Sequence, residues 1–286
     1  MNRREFLKQT GVMAAGALTL SQTAVLAHKN VGVFGLQLYS VRDVLPKDPK
    51  GTMTKLAQMG YRQFESYGGP QGFLWGMTPK EIKSFLSGIN VKMVSTHFDY
   101  GKQANNPEEL KKSIDMAAEA GLSYLLCPYI GPQKSFDDWK RIADGFNKTG
   151  ELVNKSGLKF GYHNHDYSFR PLDGKIPQEY LLANTDPKNV MFELDLCWIE
   201  AAGQDAAEHL KKYAKRYELC HVKDYNKTGD KVVQNDLGKG VVNYKHIVHT
   251  AMQNGMKYFL VEQEEYPVSP MESMKLDAEY MRKLSV

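Results

Sequence analysis

The sequence predicts an α/β protein, a single (β/α)₈ TIM barrel, from three observations. Residues 28–286 make up roughly 260 residues, the usual size of one such barrel. Eight short apolar runs alternate with helical stretches, as expected for parallel strands joined by right-handed crossovers. Most of the runs end in polar or ionisable side chains, which is typical of barrels that carry a site at the C-terminal ends of their strands.

The elements follow one another with little interruption. Strands are predicted at 33–39, 61–66, 91–97, 122–127, 158–166, 190–195, 219–224 and 259–265. Helices are predicted near 51–59, from 78, from 106, and at 135–155, 177–182, 201–215, 244–253 and 271–284. The second helix has the clearest start, because Thr78 is followed by Pro79 and by Glu81, which together predict a capping box.

The glycine pattern of the sequence does not predict nucleotide binding. No Gly-x-Gly-x-x-Gly follows the first strand, which disfavours a dinucleotide-binding fold. The Gly-Lys-Gly at 238–240 lacks the spacing and the Ser or Thr of a phosphate loop, and it is interpreted as a turn. No basic stripe stands out either, so no nucleic-acid partner is expected.

The N-terminus has the pattern of a twin-arginine (Tat-type) export signal. Arg3 and Arg4 precede an apolar stretch at 11–20, and small residues near 25–27 offer a cleavage site. The alternative is an amphipathic N-terminal helix. We expect residues 1–27 to be removed, leaving a periplasmic protein at 28–286 without a membrane anchor. The cysteines Cys127, Cys197 and Cys220 lie in apolar runs and are expected to be small buried residues.

The fifth strand carries the strongest site signal, His163 and His165 at its end. Successive side chains of a strand point to opposite faces, so these two histidines share one face while Asn164 points the other way. Other strands also end in polar side chains, namely Gln37, Tyr39, Glu65, His97, Glu193, Asp195, His221, Lys223 and Glu262. A single such residue is more often structural, but burying so many is costly unless they converge on a charge. One divalent metal ion is the working hypothesis.

The motifs resemble those of a known family, the xylose isomerase-like sugar phosphate isomerases and epimerases, which also includes apurinic endonucleases and inosose dehydratases. The resemblance rests on the runs at 35–42 (GLQLYSVR), 163–166 (HNHD), 221–224 (HVKD) and 261–263 (VEQ). By position, it implies that one divalent ion is bound by four residues at strands five to eight, His163, Asp195, His221 and Glu262.

The chain departs from the family at His163, where many relatives have a glutamate. Two imidazoles and two carboxylates suit Mn, Zn, Co or Fe better than Mg or Ca. The departure also removes one metal-bound carboxylate base. Glu262 or His165 is then the first choice of base, with Glu193 or Lys223 as further candidates. Lys223 could also donate to a developing oxyanion or hold a sugar hydroxyl, or it could simply pair with Glu193 or Asp224.

The predicted function is isomerisation, epimerisation or elimination on a keto sugar or oxidised glycoside, by proton abstraction next to a metal-bound carbonyl. We expect the substrate-binding residues to be Gln37, Tyr39, Glu65, His97 and Trp198, with Phe73 and Trp75 as further stacking candidates. A non-phosphorylated substrate is expected, because the protein is exported and no Arg lies between Arg216 and Arg282. The alternatives are a phosphodiester hydrolase and a non-catalytic sugar-binding protein. A homo-oligomer is possible.

Overall fold

Eight parallel strands close into a barrel, as predicted, in the computed structural model, which describes residues 30–229 and 231–285. The predicted export signal lies outside the described residues. The strands are β1 (Gly35–Gln37), β2 (Gln63–Tyr67), β3 (Lys92–His97), β4 (Tyr124–Cys127), β5 (Lys159–His163), β6 (Val190–Asp195), β7 (Tyr217–Val222), β8 (Asp224–Thr228), β9 (Lys231–Asn235) and β10 (Tyr258–Val261). Strands β1 to β7 neighbour one another in order, and β10 is the eighth barrel strand, pairing with both β7 and β1.

Helices lie between the barrel strands and cover the outside. They are α1 (Pro49–Met59), α2 (Pro79–Gly88), α3 (Tyr100–Gln103), α4 (Pro107–Ala120), α5 (Phe136–Asn154), α6 (Pro177–Asn184), α7 (Leu196–Ala201), α8 (Ala206–Tyr213), α9 (Tyr244–Gln253) and α10 (Pro270–Lys283). The predicted capping box is confirmed, since Thr78 Oγ1 accepts from the Glu81 backbone N–H and the Thr78 N–H donates to Glu81 Oε2 at 2.8 Å. None of the described helices is long and apolar enough to cross a membrane.

The barrel interior is divided into an apolar part and a polar part. The apolar part is a cluster of inward-facing residues, Val94, Tyr124, Leu126, Met191, Leu219 and Leu260. Gly161 allows β5 and β6 to approach there, because a Cβ at this position would lie 2.3 Å from the Met191 sulfur. The polar part lies toward the C-terminal ends of the strands, where a barrel site is expected.

The clearest differences from the sequence prediction lie in the segment after β7, in one helix and in two strand ends. The segment after β7, predicted as a loop, forms the antiparallel hairpin β8–β9. The helix predicted at 201–215 is split into α7 and α8. The fifth and eighth strands end earlier than predicted, at His163 and Val261. The hairpin was missed because its exposed strands are mostly polar, so no buried face marks them in the sequence.

The predicted turn at 238–240 is held by one buried carboxylate. Asp224 Oδ2 accepts from the backbone N–H groups of Gly238 at 2.9 Å and Gly240 at 3.0 Å. Its Oδ1 accepts from the Val242 N–H at 3.2 Å. Since three backbone donors depend on this buried carboxylate, Asp224 has a structural role in fixing the chain that follows the hairpin.

Candidate metal centre and cavity

Four side chains from consecutive barrel strands meet at the C-terminal end of the barrel. One nitrogen or oxygen from each of His163, Asp195, His221 and Glu262 lies within 4.8 Å of the others, and all four residues are buried. His221 Nδ1 is 3.1 Å from Glu262 Oε2, while Asp195 Oδ2 is 3.9 Å from both His163 Nε2 and His221 Nδ1. The resemblance implied this same set of residues.

Asp195 supplies the best evidence that a cation fits here. Its Oδ1 caps α7 by accepting from the Trp198 backbone N–H at 2.9 Å, and the Asn164 side chain accepts from the Asp195 N–H at 3.0 Å. The other oxygen, Oδ2, is buried without a hydrogen bond among the described residues, and its nearest cation is the Lys223 ammonium at 3.3 Å. A carboxylate oxygen left in this way between two imidazole nitrogens fits a divalent ion, and the donor set suits one.

A second set of ionisable groups, which we name the inner layer, lies directly beneath and consists of Glu65, His97 and Glu193. His97 Nε2 lies 2.9 Å from Glu65 Oε1 and 3.1 Å from Glu193 Oε2. Glu193 Oε2 is 3.0 Å from His163 Nδ1, and Glu65 Oε1 is 2.7 Å from His221 Nε2. Each histidine of the metal group therefore has a carboxylate behind it.

The inner layer corrects three predicted roles. Glu65 and Gln37, expected to bind substrate, are fully buried, and the Gln37 side chain donates to Glu65 Oε1 at 2.7 Å. Ser95 donates to the other Glu65 oxygen at 2.6 Å. Glu193, a candidate base, is also fully buried and is not among the residues that line the cavity. Glu65 and Glu193 lie deep because each stands two residues before the end of its strand, whereas Gln37 ends β1 and is held by its hydrogen bond to Glu65.

Burial and neighbouring charges shift the pKa values of these groups in different directions. Burial lowers the pKa of His163 well below its usual value, and the neighbouring His221 lowers it further. Burial also opposes a charge on His97, but Glu65 and Glu193 outweigh it and raise the pKa of His97 to about 9. Burial and the Glu65 charge raise the pKa of Glu193. His163 is consequently neutral near pH 7, the form that a metal ligand needs.

Lys223 is a fully buried cation beside the metal group. Its ammonium lies 2.6 Å from Glu262 Oε2, 2.7 Å from Glu264 Oε1 and 3.3 Å from Asp195 Oδ2. Although burial opposes the charge, these carboxylates raise the pKa of Lys223 well above its usual value. The sequence suggested Glu193 or Asp224 as ion-pair partners of Lys223, and the structure shows Glu262, Glu264 and Asp195 instead. Its place beside Glu262 makes Lys223 part of the site.

Glu264 is a further site residue, which lies within the predicted eighth strand but was given no role from the sequence. Its side chain is about a third exposed, and besides Lys223 it accepts from the Gln234 side chain at 3.3 Å. The Glu264 backbone N–H donates in turn to Gln234 Oε1 at 2.6 Å. Gln234 belongs to β9, so the unpredicted hairpin braces the end of the eighth barrel strand.

A cavity of about 450 Å³ opens above the metal group. Its lining includes five predicted site residues: Tyr39, His97, His163, His165 and Glu262. The rest of the lining was not predicted and consists of Tyr67, Gly68, Phe98, Asp99, Tyr100, Pro128, Tyr129 and Glu264. Most of these follow the ends of β2, β3 and β4 by one to three residues, where apolar periodicity gives no signal.

Three aromatic residues predicted to contact the sugar lie behind the cavity wall. Phe73 and Trp75 are buried, and the Trp75 indole N–H donates to Ser66 Oγ at 3.0 Å. Trp198 is half-buried and is not among the lining residues; its ring lies 5.3 Å from the Lys223 ammonium. Tyr67, whose ring contacts Trp75 edge to face at 5.0 Å, is the aromatic that faces the cavity on that side.

His165 lines the cavity from a packed position. Its ring stacks on Tyr167 with an interplanar angle of 4° and contacts Tyr129 edge to face at 5.3 Å. Its Nδ1 is buried without a hydrogen-bond partner among the described residues. Burial, followed by the charge of Lys223, lowers the pKa of His165 to about 4. His165 is thus a neutral imidazole that no carboxylate engages.

Comparison with known proteins agrees with the barrel fold. A profile of the xylose isomerase-like TIM barrel family matches residues 53–284. The chain belongs to this family. The family resemblance inferred from the sequence motifs is therefore confirmed.

Among solved structures, a sugar phosphate isomerase/epimerase from Parabacteroides distasonis has a TM-score of 0.75 and 29% identity, covering 91% of this chain and 96% of that one. The zinc-bound IOLI protein has a TM-score of 0.71 at 14% identity, covering 86% of this chain and 95% of that one, and shows a shared fold. An inosose dehydratase from Clostridium perfringens is 30% identical over 154 residues, 48% of this chain and 51% of that protein. The chain spans about half the length of the curated relatives it matches.

Proposed function

We propose that this family member is a metal-dependent isomerase, epimerase or eliminating lyase that removes a proton next to the carbonyl of a non-phosphorylated keto sugar or oxidised glycoside. The observation that carries the proposal is the buried group of His163, Asp195, His221 and Glu262, of which His163 and Glu262 line the cavity. A matched relative named inosose dehydratase and a matched structure named sugar phosphate isomerase/epimerase support this class of reaction.

The four residues of the metal group would hold one divalent ion, with Mn, Zn, Co or Fe favoured over Mg by the two imidazoles. When bound, such an ion supplies Lewis-acid stabilisation of the negative charge that develops on a substrate oxygen. Lys223 keeps Glu262 and Asp195 ionised and in place through its contacts at 2.6 and 3.3 Å. Its ammonium also adds positive charge next to the substrate cavity.

His165 is the better of the two candidate bases. Glu262 Oε2 already lies 3.1 Å from His221 Nδ1 and 2.6 Å from the Lys223 ammonium, so this oxygen is committed. His165 lines the same cavity, and no carboxylate holds its ring. Its stacking on Tyr167 fixes the ring plane, so that proton transfer requires no reorientation of the base.

The charge of the cavity favours a substrate without phosphate. Its described lining contains Asp99, Glu262 and Glu264 and neither Lys nor Arg. Phosphate sites commonly use Arg or Lys side chains or the backbone N–H groups of a helix N-terminus, so this lining lacks the side chains that usually bind a phosphate group. Tyrosines 39, 67 and 129 offer ring faces and hydroxyls to a sugar ring.

The test is deuterium uptake from D₂O, followed by NMR, with a panel of keto sugars and 3-keto-glycosides and their phosphorylated counterparts. The metal-loaded protein should exchange the proton next to the carbonyl of a non-phosphorylated substrate, and the chelated protein should not. His165→Gln should reduce this exchange at least 100-fold while metal content stays unchanged, in line with the usual contribution of a general base. A higher kcat/KM for phosphorylated sugars would contradict the substrate proposal, and exchange at the native rate in His165→Gln would contradict the base.

We also propose that the protein is exported, on the strength of the Arg3-Arg4 pair and the apolar stretch behind it. Export supports the substrate proposal, because phosphorylated sugars are mainly cytoplasmic metabolites. The protein that acts would then be the soluble barrel without its leader.

A further inference from the structure

We propose that Glu65 and Glu193 are positioning residues that fix the tautomer and orientation of the two histidine ligands, and that His97 joins these two carboxylates into one unit. This inference rests on the metal group of the proposed function. It gives the inner layer, which contacts no substrate in that function, a role in binding the ion.

The argument begins with His163, whose two ring nitrogens face different partners. Nδ1 lies 3.0 Å from Glu193 Oε2, and Nε2 faces the metal group, 3.9 Å from Asp195 Oδ2. A neutral imidazole carries one proton, and the nitrogen beside a carboxylate acceptor keeps it. Glu193 therefore holds the proton on Nδ1 and leaves the lone pair of Nε2 directed at the ion.

His221 has the same arrangement with its nitrogens exchanged. Nε2 lies 2.7 Å from Glu65 Oε1, and Nδ1 faces the metal group, 3.1 Å from Glu262 Oε2. Both nitrogens of His221 lie beside a carboxylate, and Glu65 is the nearer one. Glu65 therefore holds the proton on Nε2, which leaves Nδ1 as the ligand atom. A carboxylate that accepts a hydrogen bond from one nitrogen of an imidazole orients the ring and makes the other nitrogen a better ligand for a metal ion.

His97 connects the two carboxylates. A single nitrogen, Nε2, lies 2.9 Å from Glu65 Oε1 and 3.1 Å from Glu193 Oε2. Two buried carboxylates so close together would repel each other without a shared donor. The ring of His97 also lies 5.2 Å from that of His163 and 5.6 Å from that of His221, so the three imidazoles pack as one block.

Burial shows that the two carboxylates act through the histidines. Neither Glu65 nor Glu193 is exposed, and neither lines the cavity. Glu65 is held further by Gln37 at 2.7 Å and Ser95 at 2.6 Å, which leaves it no freedom to reach a substrate. Glu65 therefore acts on the ion by orienting the ligand it touches. Glu193 Oε1 is buried without a hydrogen-bond partner among the described residues, and Glu193 with His97, His163 and His221 forms a second group able to hold an ion, so metal titration has to separate the two roles.

The experiment measures binding of Zn²⁺ and Co²⁺ to the chelated protein by competition with a chromogenic chelator, together with the visible spectrum of bound Co²⁺. Glu193→Gln and Glu65→Gln should each weaken binding about 10- to 100-fold, the usual effect of losing such a partner, and should alter the Co²⁺ spectrum. The control is Glu218→Gln, the same substitution at a carboxylate bound by Tyr124 at 2.6 Å and Lys159 at 2.7 Å, outside the site. It should leave affinity and spectrum unchanged.

A compensating pair of substitutions separates positioning from a merely structural role. His163→Glu alone places a carboxylate beside Glu193 and should bind metal worse than the native protein, because two like charges then lie together. Adding Glu193→Gln removes that repulsion and should improve the affinity at least 10-fold over His163→Glu alone. Circular dichroism of each variant checks that the barrel is folded.

Each result bears on the proposal differently. Native affinity and spectrum in both Glu193→Gln and Glu65→Gln would overturn the positioning role while leaving the metal site in place. A second equivalent of metal that is lost in His97→Gln would overturn it too, by showing that the inner layer is itself a ligand set. A native protein that binds no metal would refute the metal group of the proposed function and this inference with it.

Discussion

Replacing Lys223 with methionine should destabilise the metal-free barrel strongly, because the substitution leaves buried carboxylates without their cation. Lys223 contacts Asp195, Glu262 and Glu264, and the first two are almost completely buried. Removing one partner of a buried ion pair costs about 3–5 kcal/mol. The contact with Glu264 adds little, because that side chain is a third exposed.

The assay is thermal unfolding of the chelated protein. A loss of this size corresponds to a decrease in Tm of roughly 6–20 °C for a domain of this length. The control is Lys257→Met, which removes a half-exposed lysine 3.0 Å from Glu218 and should cost less than about 1 kcal/mol. Zn²⁺ should restore more stability to Lys223→Met than to the native protein, because the ion then replaces the missing positive charge.

The reasoning would be refuted by a decrease in Tm for Lys223→Met no larger than that for Lys257→Met. Such a result would mean that the carboxylates are already neutral in the metal-free protein. An equal gain from Zn²⁺ in the native protein and in the variant would contradict the second half of the argument, that lysine and metal stabilise the same negative charges.

Three further predictions concern stability and export. Gly240→Ala should lower the free energy of unfolding, measured by urea titration, by about 1–3 kcal/mol, because the added Cβ would lie 2.4 Å from a backbone oxygen. The control is Gly88→Ala, which adds a methyl group in open space on a helix and should be neutral or stabilising. Burial raises the pKa of Asp277 from 3.8 to about 8, so the native state holds a proton that the unfolded chain releases. The stability that this bound proton contributes is present below about pH 4 and is lost as the pH rises toward 8. Asp277→Asn should therefore lessen the fall in stability with pH, and urea midpoints that fall equally in both proteins would contradict this. Changing Arg3 and Arg4 together to lysine should reduce the periplasmic yield, measured by cell fractionation, and an unchanged yield would exclude a twin-arginine signal.

The metal group was predictable because its residues are the last polar side chains of successive apolar strands. His163, Asp195 and His221 each stand at or next to the end of a run whose burial is evident from composition. In a closed parallel barrel such ends must meet, but the choice of these four residues as ligands came from the family resemblance. The fold itself followed from the count of eight runs.

The depth of the other polar side chains was not predictable, because it depends on how neighbouring strands are staggered. In the β5–β6 register His163 pairs with Glu193, and in the β6–β7 register Asp195 pairs with His221. Glu193 and Asp195 are two residues apart on one face, so one lies a layer below the other. The sequence identifies their common face, but only the stagger of the closed barrel places Asp195 beside Glu262 and Lys223 and Glu193 beside His97.

The pairing of β10 with β1 has a consequence for how the protein folds. It joins Gly35 to Leu260, two residues from nearly opposite ends of the barrel sequence, and such distant contacts form slowly. Glu262 follows directly after β10 and donates its backbone N–H to Val222 at 3.1 Å, so the fourth ligand arrives only with the final closing step. A refolding chain is therefore expected to gain its affinity for the ion at the moment the barrel closes, and metal capture becomes a reporter of that step.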